Sequence, residues 1–178
     1  MNETSLGLLF AALALLILIS AFFSSSETSM MSLNRYRLKH LKGTGHRGAQ
    51  RAIRLLQRPD RLIGLILIGN NLVNILASAI ATVIAIRLFG DAGIAIAPLS
   101  LTLVILIFAE ITPKTIAALH PERVAFPASA VLVPLQKLLM PLVLAINWLT
   151  NGILKLMGFS PDEAGDDAVS QEELRTIV

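Results

Sequence analysis

Long uncharged apolar runs, rather than stripes of helical or strand period, organise this chain. Leu6 to Phe23, Leu62 to Ile86 and Ile94 to Ala109 carry no charged residue, and the third run continues in apolar character beyond Glu110. Roughly 20 apolar residues of helix cross a hydrocarbon core about 30 Å thick, which fits runs of this length. Within lipid every backbone group must be paired inside its own segment, so helix is expected throughout. A β-barrel would alternate apolar and polar residues, and no such alternation occurs. The pattern predicts an all-α integral membrane domain with three spanning helices.

Basic residues fix the expected orientation. Arg35, Arg37, Lys39, Lys42, Arg47, Arg51, Arg54, Arg58 and Arg61 all lie between the first and second runs. By the positive-inside rule that loop is cytoplasmic, which places the amino terminus outside and brings Lys114, His120 and Arg123 to the cytoplasmic side. The link from Arg87 to Gly93 reads as a short outer turn built on Gly90 and Gly93. Leu38, Leu41, Ile53, Leu55 and Leu56 among the charges suggest loop helices lying on the membrane surface and attracting anionic lipid. Residues 127 to 157 are apolar but interrupted by Pro134, Pro141, Lys137 and Lys155. They read either as a kinked fourth crossing or as a pair of short helices that dips in and returns. Residues 1–157 are expected to form the membrane domain and 158–178 an acidic cytoplasmic linker. Ser170, Gln171, Glu172 and Glu173 have the form of a capping box, and a helix starting there implies a chain that continues.

Composition agrees and narrows the chemistry. Hydrophobic residues make up 54% of the 178 and charged residues 15%, against about 25% charged in soluble domains; mean hydropathy is +0.72. The first run lacks a basic flank and a small-residue cleavage site, so it reads as a retained helix rather than a signal peptide. The formal charge of +3 and pI near 9.7 come from the basic loop, and no nucleic-acid partner is expected. The chain has no cysteine, which excludes disulfides and thiolate metal sites.

Candidate function lies where the apolar helices break their own rule. Ser20, Ser24 and Glu27 share one face of the first helix at i, i+4 and i+7. Asn70, Asn74 and Ser78 form a similar stripe on the second, where Gly69 and Ala77 permit close approach. Glu110 follows the third run, and Pro113 cannot donate to the Ala109 carbonyl four residues earlier. Amide and hydroxyl groups commonly join packed membrane helices, for about 0.6 kcal/mol each. A carboxylate at membrane depth costs roughly 2.5–3.5 kcal/mol and points to function, unless Lys114, one turn on, pairs with it. Together these residues offer hard oxygen ligands suited to Mg²⁺, Ca²⁺ or Na⁺ and poor for zinc or copper. His40, His46 and His120 all lie in loops.

Phe22 to Asn34 (FFSSSETSMMSLN), Ile68 to Ile75 (IGNNLVNI) and Ala109 to Thr115 (AEITPKT) together resemble the signature of the CorC/CNNM magnesium transporters. The resemblance runs over essentially the whole chain. It implies a homodimer whose membrane domain has three spanning helices and a short belt-like helix pair, favouring the dipping reading of residues 127 to 157. It implies an ion site drawn from Ser20, Ser24, Gly69, Asn70, Asn74 and Glu110, and export of Mg²⁺ in exchange for Na⁺. The family's CBS-domain pair and small carboxyl-terminal domain fall outside these 178 residues. Two other classes compete with transport: a membrane anchor or scaffold whose polar stripes only pack a dimer, and an intramembrane enzyme. The second lacks a membrane-embedded base to activate Ser24, Ser25 or Ser26.

Overall fold

The first two apolar runs each become a helix longer than the run itself, and the third is divided between an α-helix and a π segment. The computed structural model describes residues 5–158. Helix α1 (Leu6–Met31) is capped by Ser5, whose Oγ accepts from the Leu8 N–H at 3.3 Å. Asn34 Oδ1 accepts from Tyr36 and Arg37 to start α2 (Arg35–Gly43), and His46 Nδ1 accepts from Ala49 to start α3 (Arg47–Leu56). Helix α4 (Pro59–Phe89) opens on a proline that needs no donor there.

A 3₁₀ turn at Gly90–Ala92 then reverses the chain into α5 (Gly93–Val104). Gly90 has φ +61°, a left-handed conformation that glycine adopts without penalty. The absent side chain of Gly93 lets α5 start against the backbone of Ala85. This is the expected two-glycine turn. The third run continues through a π-helical segment, Ile105–Ile111, into α6 (Thr112–Leu119).

The described residues fall into two compact units, the first ending at Lys137 and the second beginning at Leu138. In the first, α1 lies against α4, the π segment and α6, while α5 returns along α4. Small buried residues of α4 (Gly69, Val73, Ala77 and Ala81) recur every four positions and allow close approach, the usual contact between membrane helices. Large apolar residues point outward all round the bundle, among them Leu18, Leu67, Leu99 and Phe108. An apolar exterior on this scale is a lipid-facing surface. Among the described residues three helical stretches are long and apolar enough to cross a bilayer: α1, residues 59–119 and the helix Pro121–Leu156. The glycine turn splits the second into the two antiparallel legs of the hairpin.

Of the two readings of residues 127 to 157, the structure shows the continuous helix rather than the helix pair that the resemblance favours: up to Leu156 they belong to α7 (Pro121–Leu156). Pro127, Pro134 and Pro141 are spaced by seven, so their missing hydrogen bonds fall on one face and the other face keeps its ladder. Such isolated interruptions are tolerated in membrane helices. Within the first unit the start of α7 is fastened to the basic helices. Arg37 pairs with Glu122, and Arg51 donates from Nε to Ser129 Oγ at 3.2 Å. Arg51 also reaches the Phe126 carbonyl at 3.5 Å. The acidic tail and its capping box lie outside the described residues.

Candidate cation site

The contact of α1 with α4 brings three of the expected residues together. Ser20, buried to 1% exposure, has its Oγ 2.8 Å from Asn70 Oδ1 and 2.8 Å from Asn74 Oδ1. A hydroxyl carries one proton and can donate to one acceptor at a time. With both amides oriented this way, three oxygens converge between two apolar helices where one hydrogen is available.

Gly69 sets the register of this contact. The tip of the Phe23 ring fills the space that a Cβ on Gly69 would occupy, so the ring can reach the backbone of α4. Phe23 is three residues beyond Ser20 on α1, and Gly69 immediately precedes Asn70. The ring–glycine contact thus aligns the serine with its two amides.

Ser24 lies one turn along the same face of α1, also 1% exposed, and its Oγ has no hydrogen-bond partner. Its neighbours differ. Ser25 and Ser26 donate to the Phe22 carbonyl at 3.1 and 2.6 Å, and Ser29 donates to the Ser26 carbonyl at 3.1 Å. An unsatisfied buried hydroxyl costs about 1–3 kcal/mol, so the Ser24 hydroxyl is held unpaired at that expense.

Glu110 approaches from the other side. It shares an open cleft of about 300 Å³ with Asn74, Ser78, Thr102 and, besides Pro98, three apolar residues (Leu101, Ile105 and Leu106). Asn74 therefore belongs both to the Ser20 cluster and to the cleft that Glu110 faces. Glu110 sits in the π segment, a feature often found at functional sites. There the Thr112 N–H reaches back five residues to the Ile107 carbonyl. In that register the donor missing at Pro113 is the one owed to Phe108, one residue before the Ala109 expected from an α-helical count. Among the described residues Glu110 has no ion-pair or hydrogen-bond partner; Lys114 instead lies 3.8 Å from Glu27.

Ser20, Asn70 and Asn74 are thus in direct contact, Ser24 and Glu110 adjoin them along α1 and across the cleft, and Gly69 packs beneath Phe23. Among the described residues no three His, Asp or Glu side chains gather as a metal cluster, so binding here would rest mainly on neutral oxygens. The π segment and the Glu27–Lys114 pair escaped the sequence reading. The Pro113 that follows Glu110 was the available sign of the first.

Residues 10–178 match the cyclin M transmembrane N-terminal domain family. The UPF0053 inner membrane protein YfjD of Escherichia coli (strain K12) is 59% identical over 160 residues, 90% of this chain and 37% of that protein. A UPF0053 protein of Haemophilus influenzae is 49% identical over 178 residues, all of this chain and 42% of its own length. A chloroplastic DUF21 domain-containing protein of Arabidopsis thaliana is 33% identical over 93% of this chain and 25% of that protein. The chain spans less than half the length of these relatives. With a match over nearly all its residues, this all-α membrane domain belongs to the cyclin M (CNNM) transmembrane family.

Proposed function

We propose that this domain binds and transports Mg²⁺, with Ser20, Ser24, Asn70 and Asn74 as neutral oxygen ligands and Glu110 as the charge that offsets dehydration. The observation that carries the reading is the Ser20 trio. Mg²⁺ takes oxygens at 2.0–2.1 Å in near-octahedral geometry, so adjacent ligands stand about 2.9 Å apart. The two oxygen–oxygen distances of 2.8 Å are those of ordinary O–H···O hydrogen bonds and lie close to that edge, so an ion taking the place of the shared proton would need little movement of the three oxygens. Ser24 adds a hydroxyl free to turn towards an ion. One carboxylate among neutral ligands holds the ion loosely enough to release it, as conduction requires.

Transport proceeds by alternating access of the α1–α4–α5 bundle, with Mg²⁺ leaving the cell in exchange for Na⁺ at the same oxygens. The working unit is a homodimer in the bacterial inner membrane, with the amino terminus outside and the α2–α3 loop in the cytoplasm. The loop's cations support that orientation, and the family resemblance supports the ion, the exchange and the dimer. Proteoliposomes loaded with a Mg²⁺-sensitive dye test the reading. A Na⁺ gradient should drive Mg²⁺ flux through the wild type, and Asn74→Ala should abolish it; flux unchanged in that variant removes this site from the pathway.

One observation favours a second reading. Turning either amide lets its NH₂ donate to Ser20 Oγ, which satisfies the trio with no ion. The stripe is then a packing contact of a membrane scaffold, and Asn74→Ala alters stability without altering any response to Mg²⁺.

A further inference from the structure

The cations of the α2–α3 loop are divided by what they touch. Arg37 and Arg51 are committed to α7, through Glu122 and through Ser129 with the Phe126 carbonyl. Arg35, Lys39 and Lys42 stand at i, i+4 and i+7 on α2 and have no protein partner among the described residues. They line a groove of about 230 Å³ whose remaining walls are Leu38, Ile53, Leu56 and Gln57. Among the described residues no acidic side chain lines it. Arg35 lies four residues after the end of α1, and Gln57 two before the start of α4, so both ends of the groove adjoin helices that cross the bilayer.

We infer that this groove binds one anionic phospholipid, independently of the cation site. Its phosphate lies among Arg35, Lys39 and Lys42, the Gln57 amide donates to the glycerol or ester oxygens, and an acyl chain follows Leu38, Ile53 and Leu56. Charge and form together select the lipid. Three cations in a row attract any phosphate, but the apolar floor between them rewards a phosphate that carries a chain. A merely solvated basic face has no such floor.

The test is native mass spectrometry of the chain released from nanodiscs of phosphatidylcholine with phosphatidylglycerol. The wild type should retain one phosphatidylglycerol in clear preference to phosphatidylcholine. Each neutralisation among Arg35→Gln, Lys39→Gln and Lys42→Gln should reduce that preference about five-fold. Arg35→Lys, which keeps the charge, should largely preserve it. The other loop arginines keep the topology signal, and thermal unfolding of each variant verifies its fold. Ile53→Ser should weaken retention with the charges intact, and millimolar inorganic phosphate should fail to displace the lipid. No preference in the wild type, preference intact in the triple Gln variant, or displacement by inorganic phosphate would each overturn the assignment.

Discussion

Lys114 reaches across the bundle to Glu27 of α1, its Nζ 3.8 Å from Oε2, and leaves Glu110, one turn away on its own helical stretch, unpaired. The sequence admits either partner, because Glu110 and Lys114 stand at i and i+4. The π segment intervenes: it adds a residue to the turn containing Glu110 and so alters how that side chain aligns with Lys114 on α6. The Glu110 carboxylate, which lines the same cleft as Asn74, is thereby kept from an internal cation.

Neutralising Glu110 should separate binding from folding. Glu110→Gln removes the one full charge facing the cleft, so Mg²⁺ affinity should fall at least ten-fold. The melting temperature without Mg²⁺ should hold or rise, since no ion pair is lost and a charge is removed from membrane depth. Calorimetry beside a thermal scan reads both. A large loss of stability would show that the carboxylate has a structural partner.

The Glu27–Lys114 pair should contribute little. Both side chains are 43% exposed, and exposed pairs are typically worth 0–1 kcal/mol. Lys114→Met should shift unfolding by no more than about that amount, with the difference shrinking as salt is raised. Denaturant titration at two ionic strengths measures it.

Ser24→Ala should have opposite effects with and without ion. Removing an unsatisfied buried hydroxyl relieves about 1–3 kcal/mol, so the variant should melt higher than wild type in chelator. In saturating Mg²⁺ it should gain less stability than wild type, because a ligand is gone. Paired thermal scans report the two differences.

Gly69→Ala places a methyl where the Phe23 ring lies. Overpacking of this kind costs about 1–3 kcal/mol and should also displace Ser20 from Asn70 and Asn74, weakening Mg²⁺ binding. Adding Phe23→Leu should recover part of both losses, as measured by melting temperature and calorimetry. Loss of binding without any loss of stability would instead assign Gly69 a direct role through its carbonyl.

Much of this architecture was legible from one dimension. Uncharged runs of bilayer length specify α1, α4 and the α5 leg because lipid leaves the backbone no alternative, and Gly90 and Gly93 mark the turn between the last two. The Ser20, Asn70 and Asn74 stripes follow from helical spacing, which names the face of each helix but not the register between them. That register depends on Phe23 lying against Gly69, a contact between residues 46 apart in sequence. The π segment was hidden because a count of 3.6 residues per turn assumes what it was meant to test. The continuity of α7 was left open between two readings because three prolines read as breaks until their common face is considered.

The account rests on cation binding at the Ser20 trio, and Mg²⁺ titration of the purified chain by calorimetry tests it most directly, wild type beside Asn74→Ala, with Ca²⁺ and Na⁺ as competitors. Saturable Mg²⁺ binding is expected in the wild type, with only weak competition from Ca²⁺, and binding is expected to be lost in a folded Asn74→Ala. No binding at millimolar Mg²⁺, or equal binding in the variant, would contradict it and leave the trio as a packing contact between α1 and α4.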